Sequence, residues 1–101
     1  MSSRAVRFSR AFFKDLDNQL PEERSGDGTP SATDFLFLEL PPIRDSLAED
    51  LEGCTTVLSP GGRVRVAVAS GVLVRGFALF LVVNEDTDIE VIGITIELSE
   101  G

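Results

Sequence analysis

The spacing of apolar and polar residues changes character once along the chain. Up to residue 53 the apolar positions recur at helical intervals. From residue 54 onward they alternate. In the first half, "AVRFS" (5–9) alternates briefly and reads as a short edge strand. Ser9 then stands as an N-cap for "RAFFKDLDNQL", where Phe13, Leu16 and Leu20 recur at i, i+3 and i+7 and Phe12 lies four before Leu16. This predicts an amphipathic helix that Pro21 ends or kinks. "EERSGDGTPSA" (22–32) lacks apolar anchors and is punctuated by Gly26, Gly28 and Pro30, as a loop is. Ser31 with Asp34 has the form of a capping box, with Asp in the Glu place. "TDFLFLEL" reads as a buried helix on that signal, although Phe35, Phe37 and Glu39 also alternate with leucines as in a strand, and Pro41-Pro42 should stop either element. "IRDSLAEDLEG" (43–53) predicts a helix with Ile43, Leu47 and Leu51 inward, Pro42 at N1 and Gly53 at C′, and with Asp45, Glu49, Asp50 and Glu52 in water.

In the second half, "CTTVLS" (54–59) is a candidate strand and "PGG" (60–62) a turn. "RVRVAVAS" separates Val64, Val66 and Val68 from Arg63, Arg65, Ala67 and Ala69. Ser70-Gly71 signals a tight hairpin, "VLVRGFALFLVV" (72–83) is apolar on both faces like a central strand, and "NEDTD" (84–88) is a polar turn. "IEVIGITIEL" (89–98) sets Ile92, Ile94, Ile96 and Leu98 on one side. The expected fold is α+β: an N-terminal strand and helices packed on one face of an antiparallel meander sheet, in one domain spanning residues 1–101. A chain of this length buries roughly two-thirds of its unfolded surface.

Composition narrows the chemistry. The chain has 101 residues, 43% of them hydrophobic, with one cysteine and no histidine, tryptophan or tyrosine. Histidine-dependent triads and zinc sites are therefore excluded, and one thiol builds no thiolate cluster. No cofactor or metal is expected. "NEDTD" opens like a calcium loop, but its sixth and twelfth positions are Ile89 and Thr95, where glycine and a bidentate Glu belong. "SPGGR" (59–63) leads into a strand rather than a helix and lacks the lysine of a phosphate loop, and "DGT" (27–29) is a loop. No apolar run is long enough to span a bilayer, and "MSSRAVRFS" has no apolar signal-peptide core. With the lone Cys54, this points to a cytoplasmic protein with no membrane contact.

The net charge is −8, unevenly spread. Residues 1–14 hold Arg4, Arg7, Arg10 and Lys14 without an acid, and residues 63–83 hold Arg63, Arg65 and Arg75 without an acid. If the hairpin turns at Ser70-Gly71, Arg65 faces Arg75 across the strand pair. Such a like-charge pair needs an offset. Neighbouring acids such as Glu90 or Glu97 provide one, and an external anion provides another. Arg7, Arg63, Arg65 and Arg75 are accordingly the candidate anion- or target-binding residues, and no catalytic set is assigned.

The segments "VRFSRAFFKDL" (6–16), "LAEDLEG" (47–53), "RVRVAVASGVLVRGFALFLVV" (63–83) and "DIEVIGITIEL" (88–98) together resemble the RelE/ParE toxin superfamily of bacterial toxin–antitoxin systems. The resemblance implies an N-terminal strand, a helical hairpin and a C-terminal meander, with arginines where Arg63, Arg65 and Arg75 stand. It implies a toxin or toxin-like component of a type II system, held by an antitoxin-like protein partner, with nucleic acid or gyrase as target. The missing histidine and tyrosine and the base-free end "ITIELSEG" favour a ParE-like or inactive member over a ribosome-dependent mRNA endoribonuclease. A non-enzymatic module that forms homodimers through the edge of the last strand is the remaining expectation.

Overall fold

A computed structural model describes residues 4–23, 26, 30–71, 73–85 and 88–97. Residues 24–25 and 27–29 of the expected loop at 22–32, the middle of "NEDTD", Val72 and Leu98 lie outside the described residues. The chain runs β1 (Val6–Phe8), α1 (Arg10–Gln19), α2 (Ala32–Asp34), a π-helical turn (Phe35–Glu39), α3 (Leu40–Glu49), α4 (Leu51–Cys54), β2 (Thr56–Val57), β3 (Val64–Ser70), β4 (Gly76–Val83) and β5 (Ile89–Glu97). The class is α+β. The sheet has five strands in the order β1-β5-β4-β3-β2. The antiparallel meander is present as β3-β4-β5, but β1 joins β5 in parallel, so the sheet is mixed rather than antiparallel throughout. The parallel pairing follows from the path of the chain: β1 leads directly into α1, and α1 returns across β5.

Local signals at helix starts operate as expected. The Ser9 hydroxyl accepts the Phe12 amide proton at 3.2 Å. Ser31 Oγ accepts from the Asp34 N–H at 3.0 Å, and Asp34 accepts from the Ser31 N–H at 3.1 Å, closing the capping box. α1 buries Phe12 and Leu16, and its C-cap Leu20 is buried too, while Phe13 is turned outward.

The segment after Ser31 is helical, not extended, and Pro41-Pro42 does not stop it. The Leu40 N–H donates to the Phe35 carbonyl five residues back, which widens the helix just before the two prolines. The prolines then occupy the first turn of α3, where helical N–H groups have no required acceptor. The expected helix over 43–53 is broken at Asp50 (φ −145°, ψ 64°), whose carboxylate accepts the Gly53 N–H at 3.1 Å and starts α4. Gly53 therefore lies inside a helical turn and is not a C′ residue. A Cβ there would collide with that carboxylate.

The helices cover one face of the sheet. Phe12, Leu16, Phe35, Leu40, Leu47 and Leu51 meet Ala67, Phe77, Leu79, Leu81, Ile89, Val91 and Ile94 in one core. The Phe35 and Phe77 rings pack edge to face at 5.1 Å. Each such fully buried side chain contributes about 1.5–3 kcal/mol through lost apolar exposure. β3 presents Arg65, Ala67 and Ala69 to this layer, with Ala67 fully buried. The two alanines leave room for the larger side chains of β4 and the helices. Val64, Val66 and Val68 consequently lie on the opposite face. Arg65, a candidate anion- or target-binding residue, is therefore on the side of β3 that the helices cover.

Candidate functional site: an open apolar face and four tethered arginines

The face away from the helices is built from the alternate residues of the meander. β3 supplies Val64, Val66 and Val68; β4 supplies Ala78, Phe80 and Val82; β5 adds Ile92. Register makes them neighbours: Val64 pairs with Val82, Val66 with Phe80 and Val68 with Ala78. An extra residue in β5 between the partners of Phe80 and Leu81 turns Ile92 outward beside them. None of these side chains belongs to the core beneath the helices. Val68 is 75% exposed. On the β5 side the stripe is bordered by Glu90, Thr95 and Glu97, and Arg7 stands next to Glu90. Contiguous apolar surface of this kind, rimmed by polar groups, marks an interaction site. The sequence signal for it was a central strand apolar on both faces, combined with helices enough to cover only one.

The four candidate arginines are not brought together. Arg7 sits on edge strand β1, and its Nη2 lies 3.3 Å from Asp88 Oδ2. Arg63 precedes β3, and its Nε donates to the Val83 carbonyl at 3.3 Å. Two strands, β5 and β4, lie between β1 and β3, which puts about 14 Å between Arg7 and Arg63 at the usual strand spacing. Arg65 points to the helical side and is buried. Its Nε donates to the Gly62 carbonyl at 2.7 Å, and its Nη1 reaches Glu52 Oε2 at 3.1 Å and Thr55 Oγ1 at 3.2 Å. Gly61 and Gly62 have φ of 85° and 74°, which glycine adopts without strain, and their turn brings the Gly62 carbonyl to the guanidinium. Arg75 lies at the other end of β3, in the connection to β4, with its Nη1 3.6 Å from Glu97 Oε1.

The expected contact between Arg65 and Arg75 is absent. Arg65 pairs with Leu81, and Ser70 pairs with Gly76, so the connection spans residues 71–75 instead of two residues. Glu39, in the π-helical turn, fixes this longer connection. Its buried carboxylate accepts from the Leu73 N–H at 3.2 Å and the Val74 N–H at 3.4 Å. Neutral backbone donors so placed favour a connection that the Ser70-Gly71 signal does not encode.

The expected free edge of β5 is also occupied. β1 pairs with its first residues, and α1 completes the remainder with side chains. Gln19 Nε2 donates to the Ile94 carbonyl at 2.7 Å, Gln19 Oε1 accepts from the Ile96 N–H at 2.7 Å, and Asp15 Oδ2 accepts from the Ile94 N–H at 3.4 Å. No sequence pattern marked Asp15 or Gln19 for this role.

Among the described residues no group of histidine, cysteine, aspartate or glutamate is arranged to hold a metal ion. Cys54 is unpaired, and its thiol pKa is raised, first by burial and then by the nearby Asp50 charge. No described helix is long and apolar enough to cross a membrane. Neither a protein-family model, a curated protein nor a solved structure matches the chain.

Proposed function

We propose that this protein is a non-catalytic binding component, toxin-like in the RelE/ParE sense, whose open sheet face is held by an antitoxin-like partner chain. The observation that carries the reading is the unbroken stripe Val64, Val66, Val68, Ala78, Phe80 and Val82 on a face that no described helix covers. The order of strand, helices and meander is in keeping with the family resemblance, which supplies the kind of partner. Fold alone never supplies a function; the open face is what a partner would recognise. A basic amphipathic segment suits it. Its apolar residues would seat on the valines and Phe80, and its cations would meet Glu90 and Glu97 on a chain of net charge −8.

The mRNA endoribonuclease alternative has less support. Cleavage needs cationic groups free to meet phosphate, and the guanidiniums of Arg7, Arg63, Arg65 and Arg75 already have intramolecular acceptors. The test is co-expression with the product of an adjacent short gene that encodes a basic chain. A complex is expected that is lost on Phe80→Asp and kept on Arg75→Ala. A complex indifferent to both Phe80→Asp and Val66→Asp overturns the face assignment. Ribosome-dependent mRNA cleavage by the purified chain, lost on Arg75→Ala, establishes the alternative.

A further inference from the structure

β2 ends after two residues, beside Arg65 and Val66 of β3. The rest of that side of β3, Val68 to Ser70, has no neighbouring strand among the described residues. The hydrogen-bond alternation states which groups are left there. The Val83 N–H donates to the Arg63 carbonyl, so odd-numbered residues of β3 face β4. The Leu58 N–H donates to the Val64 carbonyl, so even-numbered residues face the other way. Val68 and Ser70 therefore direct one N–H and one C=O each out of the sheet edge.

We infer that this edge pairs with the same edge of a second copy of the chain, joining two sheets across a two-fold axis at Ala69. The axis sets Val68 opposite Ser70 of the other copy and Ser70 opposite its Val68. All four outward N–H groups then meet outward C=O groups, in an isologous contact that closes on itself. The free edge is bounded by β2 on one side and by the connection at residue 71 on the other, which matches the length this pairing uses.

Two further features favour a second copy. The segment Ala67–Gly71 carries no charge, proline or bulge, the devices that keep an edge from pairing with its own kind. It is thus a neutral stretch in a chain of net charge −8, so the contact itself sets no like charges directly against each other. On the helix side the edge borders a shallow cleft of about 290 Å³ lined by Leu38, Ile43, Ala69 and Phe77, which leaves space there for side chains of an incoming strand. Paired in this way, the two open faces become one continuous surface of doubled width.

Sedimentation equilibrium of the full chain tests the inference. A concentration-dependent dimer is expected, unchanged or strengthened as salt screens the negative charge. Val68→Pro removes an outward N–H while sparing the bonds to β4, and should weaken the dimer at least tenfold, with the fold checked by circular dichroism. If that variant does not fold, Ala69→Cys in a Cys54→Ser background decides. The axis places the two introduced thiols across a close, non-hydrogen-bonded pair, about 4.5 Å apart at Cα, where a disulfide fits. Rapid oxidation to a covalent dimer supports the inference. A strict monomer at high concentration overturns it, as does a dimer abolished by Phe80→Asp whose Ala69→Cys form does not cross-link. These outcomes are independent of whether a basic partner binds the open face.

Discussion

Gln19 holds the backbone of Ile96 as a sixth strand would, its Oε1 accepting the Ile96 amide proton at 2.7 Å while its Nε2 reaches the Ile94 carbonyl at the same distance. The side-chain amide presents a donor and an acceptor with the geometry of a peptide group. Gln19→Ala removes both and leaves an N–H and a C=O of β5 unpaired at a partly buried edge. The expected loss is about 1–3 kcal/mol. For a domain of this size that corresponds to roughly 5–15 °C in Tm. A thermal melt checks the stability. Light scattering should also show new self-association through the released β5 edge, which the parent chain lacks there.

Arg65 is expected to matter for stability whatever it does for binding. Three acceptors on three segments converge on one guanidinium: the Gly62 carbonyl, Glu52 and Thr55. Glu52 is largely exposed and rehydrates when released, so the main loss comes from the buried end of the network. Arg65→Met should lower the urea midpoint by the equivalent of about 1–3 kcal/mol. Arg65→Lys should recover only part of it, because an ammonium cannot reproduce the fork. An Arg65→Met protein as stable as the parent would show that the network contributes nothing.

The sequence disclosed what depends on neighbours a few residues away. Ser9 caps α1 and Ser31 pairs with Asp34 because both motifs close within three residues. The strands of the meander were equally legible from alternation. Alternation separates two sets of side chains, however, without stating which set the helices cover. On β3 the decision fell to Ala67 and Ala69, small enough for close packing, and to Glu52 and Thr55, thirteen and ten residues earlier, which accept from the Arg65 guanidinium. The five-residue connection after Ser70 depends on Glu39, more than thirty residues earlier. Pro41-Pro42 read as a stop because the wider π turn ahead of them has no sequence signature of its own. The arginine cluster was a cluster in sequence only, since Arg63 and Arg65 lie at one end of β3 and Arg75 at the other, with Arg7 on a distant edge strand.

Two phenylalanines on β4 provide a direct check of the face assignment. Phe77 points into the core against Phe35, whereas Phe80 points out among Val66 and Gly93. Phe77→Ala should cost about 3–5 kcal/mol. Phe80→Asp removes apolar area from a face already in contact with water, so its cost should stay near 1 kcal/mol. It should also reduce binding of a hydrophobic dye to the folded protein. Denaturant titration of both variants gives the comparison, and equal losses would mean that both faces of β4 are covered.

The Cys54 thiol is expected to resist alkylation at neutral pH. Burial raises its pKa, and the Asp50 charge raises it further, so the reactive thiolate is scarcer than in a free cysteine. Iodoacetamide labelling should reach half-maximal rate at a higher pH than in the unfolded chain, and Asp50→Asn should move that midpoint down. The folded state holds the proton more tightly, so the contribution to stability is complete below the unfolded thiol pKa and is lost as pH rises through the folded one. A urea midpoint that falls across this alkaline range in the parent, but less in Cys54→Ala, is the expected result.

Gly71 and Glu39 form the last coupled pair. A Cβ at position 71 would lie 2.6 Å from the Val74 carbonyl oxygen and would also strike the Glu39 carboxylate. Gly71→Ala must therefore displace the carboxylate from the Leu73 and Val74 amides it accepts from, or shift the connection itself. The overpacking alone costs about 1–3 kcal/mol. Glu39→Gln keeps the shape but loses the charge on the acceptor, and hydrogen bonds to charged groups contribute about 1.5–3 kcal/mol against about 1 for neutral ones. If both substitutions act through the same contact, the double variant should lose clearly less than the two single losses added together. Additive losses would separate the glycine from the carboxylate and leave the hold of Glu39 on the connection without an energetic role.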